Sequence, residues 1–158
     1  MIVRRLFMPL PSAHRWLRVV GAVCFCAGLA GLSPSALGQV VIVHPSITDE
    51  AVSRSALRAI FSGRLQSLSG QRLTVFVLDD LDPLHSSFSK EVLGVFPYQL
   101  RAAWNRAVFA GSGRAPVTVT SEQEMLRRVA DTVGAVGYVS ERGHHQGVRI
   151  LDLKGAPQ

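Results

Sequence analysis

Three places in this chain hold residue types that could do chemistry together: the run His85-Ser86-Ser87, the loop Gly111-Ser112-Gly113-Arg114, and Ser46 after Pro45. Hydroxyls that open a helix, and glycines that uncover backbone N–H groups, offer donors at the positive end of a helix dipole. Donors arranged in that way hold oxyanions. Ser46, His85, Ser86, Ser87, Gly111, Ser112, Gly113 and Arg114 are therefore the candidate ligands of an anion site. Each also has a plainer reading. Serines begin helices in any case, Ser46 suits a turn after proline, and a Gly-rich loop can be a connection and nothing more. The loop also lacks the Lys-Ser/Thr of a nucleotide P-loop.

Other chemistries find less support. Asp79, Asp80 and Asp82 form a carboxylate cluster, but no nucleophile stands in local register with them. They read as a solvated loop, with Asp82 as a helix N-cap. His144-His145 has no third ligand at metal spacing and reads as loop. The expectation is a protein that is not an enzyme, with no metal and no cofactor.

The first segment is expected to leave before the protein works. Arg4, Arg5, Arg15 and Arg18 precede the apolar stretch from Val19 to Leu32, and small residues at Ala36 and Gly38 follow. That is the pattern of a cleaved secretory signal over residues 1–38, with the cut expected after Gly38. Cys24 and Cys26 leave with it, so the remainder holds no disulfide. The whole chain carries a net charge of +6, but without the four signal arginines 13 basic residues face 11 acidic ones, leaving +2. No nucleic-acid partner is implied by so small a balance. Residues 39–158 are long enough for one core and one domain, periplasmic or secreted and not membrane-spanning.

The elements that must position the candidates follow from periodicity. Val40–Val43 and Leu73–Leu78 are continuous apolar runs, the mark of strands buried on both faces. Ala135–Val139 and Val148–Leu153 are further strands. Asp49–Phe61 reads as a helix stopped by Gly63, and Pro83–Leu93 as a helix stopped by Gly94. Pro97 opens another, with Leu100, Trp104, Ala107 and Val108 inward and Phe109 also at core spacing. Ser121 and Glu124 make a capping-box pattern for the last. Buried strands alternating with amphipathic helices give an α/β domain. Ligands in such sheets lie beyond the carboxyl ends of the strands, and here those ends carry His44-Pro45-Ser46 and Asp79-Asp80.

The order of these pieces resembles short domains related to the phosphate-binding component of bacterial ABC transporters. The matching residues are Pro45-Ser46, Leu57 with Ile60-Phe61-Ser62-Gly63, Gly70, Phe88 with Val92-Leu93-Gly94, Trp104 with Phe109-Ala110-Gly111, Pro116, and Val136-Gly137-Tyr138-Val139. The resemblance covers most of residues 39–140. It implies an abbreviated periplasmic-binding-protein type 2-like domain: a central, mostly parallel sheet flanked by helices. It further implies an exported solute-binding-like protein for phosphate or a similar oxyanion, with an envelope transporter or signalling protein as partner. Two positions depart from the pattern. The short family commonly shows Ser where Asp82 stands and Arg where His85 stands. An Asp repels an oxyanion, and a His lacks the bidentate, pH-independent contacts of Arg. The alternative is a degenerate receptor fold that acts as a protein-interaction module without a ligand.

Overall fold

The computed structural model describes residues 38–48, 51–142 and 145–154, all within the compact unit Leu37–Gln158. Residues 1–37, which hold the two cysteines and nearly all of the expected signal segment, and His144 lie outside the described residues. The described residues form the strands β1 (Gln39–Val43), β2 (Ala51–Ser53), β3 (Ser67–Leu68), β4 (Gln71–Arg72), β5 (Thr74–Val77), β6 (Val117–Thr118), β7 (Ala135–Ser140) and β8 (Arg149–Lys154). The α-helices are α1 (Arg54–Phe61), α2 (Pro83–Ser87), α3 (Pro97–Phe109) and α4 (Glu122–Asp131). A π-helical turn over Phe88–Val92 extends α2. Among the described residues no helix is long and apolar enough to cross a membrane.

Six strands form one sheet in the order β2-β8-β1-β7-β5-β6, and β3 and β4 form a separate hairpin. The hairpin turns on Ser69 and Gly70, both at positive φ, as a two-residue turn requires. The large sheet is mostly parallel. β8 runs with β2, and β5 runs with both β6 and β7, whereas β1 is antiparallel to β7 and β8. One strand therefore points against the other five.

Side chains alternate across β7. A Cβ on Gly137 would meet Met125 Sδ and Val129 of α4. The next residue, Tyr138, faces the other way and stacks on Phe88 at 3.9 Å, with Phe61 at 5.8 Å. The sheet is thus covered on both faces, and its core takes in Val41, Ile42, Val43, Phe76, Val77 and Val136. That burial is why these strands read as unbroken apolar runs.

Two expectations need correction. The helix expected from Asp49 begins at Arg54, and Ala51–Ser53 is a strand instead. Ser53 Oγ accepts the Ala56 N–H and caps α1, and Val52 is buried as a strand residue beside β8. Val108 and Phe109 are not core: they are 47% and 89% exposed. Trp104 is buried, and five residues at 100° each carry Phe109 round to the far side of α3.

Candidate functional site

Because five strands run together, their carboxyl ends share one edge of the sheet. Beyond β5 at that edge lies the turn from Asp79 to Pro83. Asp79 Oδ1 accepts the Leu81 N–H at 2.9 Å, and Asp82 Oδ1 accepts the Leu84 N–H at 2.7 Å. Asp82 is thus the N-cap of α2 and Pro83 its first residue, the arrangement that asparagine-like acceptors and proline favour. Ser86 and Ser87 fall in the second half of α2, half-buried, and do not open the helix.

His85 points inward and is fully buried. Its Nδ1 lies 2.5 Å from the Tyr138 hydroxyl, and that oxygen accepts the Leu78 N–H at 2.9 Å. The Tyr138 hydroxyl thus joins the Leu78 N–H and the His85 imidazole in one buried chain. Nε2 faces Asp80 Oδ1 at 3.7 Å, too far for a hydrogen bond. Asp80 Oδ2 is held by Arg101, whose Nε and Nη2 both donate at 2.9 Å. Arg101 in turn lies over the Trp104 ring at 5.3 Å. Three buried polar atoms here have no hydrogen-bond partner: Asp80 Oδ1, His85 Nε2 and Ser89 Oγ in the π turn.

Burial lowers the His85 pKa below its ordinary value, against the opposing pull of Asp80 and Asp82. Burial likewise pushes the Tyr138 hydroxyl well above the usual tyrosine range. Both groups are neutral near pH 7. The cluster is a buried hydrogen-bond chain from Leu78 N through Tyr138 to His85, with the Asp80 carboxylate beyond its end and not bonded to it. It presents no activated nucleophile to solvent.

The other sequence candidates lie elsewhere. β1 is antiparallel to its neighbours, so its carboxyl end reaches the opposite, amino edge of the sheet. There Ser46 Oγ accepts the Gly134 N–H at 3.1 Å, just before β7. His44 Nδ1 accepts from the Ser46 backbone N–H, so the Ser46 hydroxyl at 2.8 Å donates to it as well. The hydroxyl is spent on the turn. The Gly111–Arg114 loop also lies at the amino edge, because it leads into β6. Its backbone donors close α3: Gly111 N bonds to Val108 O, and Ser112 N and Gly113 N bond to Ala107 O. An open nest for an anion would need those N–H groups free. Gly113 itself is required by close packing, since a Cβ there would stand 3.1 Å from Gly63 O. The structure therefore brings His85, Ser86 and Ser87 to one edge, and Ser46 with Gly111, Ser112, Gly113 and Arg114 to the other. His145, the described half of the His pair, has Nε2 3.3 Å from Ser140 O. No group of three metal-ligating residues occurs among the described residues.

The sequence reading passed over Tyr138, Asp80 and Arg101 as partners of His85. One signal was present: a tyrosine inside an apolar strand has a hydroxyl that must find a partner.

Neither a family profile nor a curated protein matches the sequence. Solved structures do match its fold. An ABC-type phosphate transport receptor from Vibrio cholerae superposes with a TM-score of 0.59 at 17% identity, over 75% of this chain and 47% of that one. The fold is that of a phosphate receptor. PstS from Borrelia burgdorferi gives a TM-score of 0.59 at 18% identity, over 76% of this chain and 48% of that one. A structure from Clostridium perfringens with bound phosphate gives 0.59 at 14% identity, over 76% and 46%. The chain spans about half the length of the structures it matches.

Proposed function

We propose that the chain is an exported, non-enzymatic binding domain, a receptor-type fold that has given up phosphate at its carboxyl edge and docks an envelope protein there. One observation carries the reading. Asp80 accepts from Arg101 Nε and Nη2 at 2.9 Å and faces the neutral His85 at 3.7 Å, so the chain's own carboxylate occupies the cation at this edge that an oxyanion would need. Asp79 and Asp82 flank it and add like charge against any incoming anion. The same carboxylates favour a basic surface on the partner. Export is supported by the signal pattern of residues 1–38 and by the transport receptors that share the fold. The absence of enzymatic function is supported by the sealing of His85 and Tyr138 from solvent.

The test is a titration of the full chain with sodium phosphate, followed on the backbone amides of residues 79–89. No saturable change is expected there. A photo-crosslinking residue at Leu81, 92% exposed in the same turn, is expected to trap an envelope protein in the producing cell. That trapping should be lost when Asp79 and Asp82 become Asn.

A second reading keeps phosphate, or a similar small oxyanion, at Ser86 and Ser87, with phosphate transport as the role. His85 would assist only in acid, since its pKa lies below the ordinary value. The half-exposed hydroxyls and the phosphate bound in the Clostridium perfringens structure favour it. Saturable changes at residues 84–88 that vanish in the Ser86→Ala, Ser87→Ala variant would establish this reading and end the first.

A further inference from the structure

We infer that a cleft between α1 and α3, on the helical flank of the domain, binds a small, multiply charged oxyanion such as phosphate or sulfate. The cleft encloses about 190 Å3 and is lined by Arg58, Ser62, Arg64, Gln99 and Arg106, with Val95, Leu100 and Ala103 as its apolar part. At about 30 Å3 for a water-sized group, that volume accepts the five heavy atoms of phosphate.

The polar groups at this cleft separate cleanly into spent and unspent. Arg58 Nε donates to Leu93 O at 2.6 Å, and Arg64 Nε donates to Ser62 Oγ at 3.2 Å. The Ser62 hydroxyl donates to Ala59 O. Gln99 Oε1 accepts the Phe96 N–H. What remains are the Nη groups of Arg58 and Arg64, the guanidinium of Arg106 and the amide NH2 of Gln99. All of these are donors, and three of the four are cationic. No carboxylate lines the cleft. Three guanidiniums around one opening repel one another, and an anion that accepts from all of them removes that repulsion.

Arg58 is held in place for this role. A Cβ on Gly94 would fall 2.9 Å from Arg58 Nη2, so the glycine gives the guanidinium its room. The site is independent of the carboxyl edge: it uses none of Asp80, His85, Ser86 or Ser87.

The experiment is a titration of the full chain with sodium phosphate and with sodium sulfate at constant ionic strength, read on the arginine side-chain N–H resonances. Saturable shifts are expected at Arg58, Arg64 and Arg106. Arg106→Gln and Arg64→Gln should each weaken binding about tenfold, the loss of one charge-assisted contact. Arg127→Gln, a charge removed elsewhere, should leave it unchanged. Arg58 is left intact because its Nε also ties α1 to Leu93. Three results would overturn the inference: no saturable shift with either anion, equal weakening by Arg127→Gln, or binding abolished by the Ser86→Ala, Ser87→Ala variant instead.

Discussion

The two edges of the sheet differ in charge balance, although Arg54, Arg142 and Lys154 also lie at the carboxyl edge. At the carboxyl edge stand Asp79, Asp80 and Asp82 after β5, Glu122 and Glu124 at the start of α4, and Glu141 after β7. At the amino edge stand Arg72 just ahead of β5, Arg114 just ahead of β6, and Arg149 where β8 begins. Side chains tie down the acidic edge at α4. Glu122 accepts from both Ser140 N and Ser140 Oγ, and Glu124 accepts from Thr120 N and Thr120 Oγ1. Those bonds hold the Glu124 carboxyl below its ordinary pKa. The amino edge is tied by backbone bonds, Thr74 N to Gly134 O, His44 N to Ala135 O and the closure of α3 on itself, and by the Ser46 hydroxyl on Gly134 N. Sheet and helix order and the charge at each edge are therefore separate properties of this domain. Backbone geometry decides the first property. A handful of side chains decides the second.

The largest effect should come from breaking the amino edge at its backbone. Gly134 has φ +75, and a Cβ there would stand 2.1 Å from Arg72 O. Gly134→Ala is expected to cost about 3 kcal/mol or more, combining left-handed strain with a clash against main chain. Urea unfolding with an unchanged slope would measure it.

At the carboxyl edge the matching test is Tyr138→Phe. It preserves the stack on Phe88 but orphans the buried Leu78 N–H and His85 Nδ1. About 2 kcal/mol should be lost. A loss below about 0.5 kcal/mol would mean that water restores both bonds.

The pH response should also belong to the carboxyl edge. Burial lowers the His85 pKa in the folded state, so below about pH 6.5 the unfolded chain binds a proton that the folded chain resists. Stability is then full above that pH and falls as the solution is acidified through it. Unfolding midpoints between pH 7.5 and pH 5 should show this fall, and His85→Gln should flatten it. Asp80→Asn removes a charge that raises the His85 pKa, so the fall should deepen.

The smaller effects sharpen the contrast. Ser46→Ala at the amino edge removes the acceptor of the Gly134 N–H, at about 1 kcal/mol. It should leave the response to phosphate untouched. Asp80→Asn should cost less than about 1 kcal/mol near pH 7, because its partner Arg101 is 47% exposed and such pairs are screened.

Much of the fold was legible in the chain. The apolar runs at Val40–Val43 and Leu73–Leu78 are strands, Asp82 and Ser121 cap helices, and Gly63 and Gly94 follow helix ends at positive φ. These are local properties: burial on both faces, a side-chain acceptor at a cap, a residue without a Cβ where φ turns positive. They act over a few residues, so a single sequence carries them. The short strands β2 and β6 were not legible, because two or three residues have no periodicity to read. Direction was not legible either. Nothing in Val40–Val43 says that this strand runs against its neighbours, yet that one reversal sends Ser46 to the edge opposite His85. Nor does sequence show that His85 meets a hydroxyl 53 residues away, or that the N–H groups of Gly111, Ser112 and Gly113 are spent on α3. Residue types gave the chain its possible chemistry. Long-range pairing decided which groups share an edge and which donors remain free, because that depends on contacts between segments far apart in the chain.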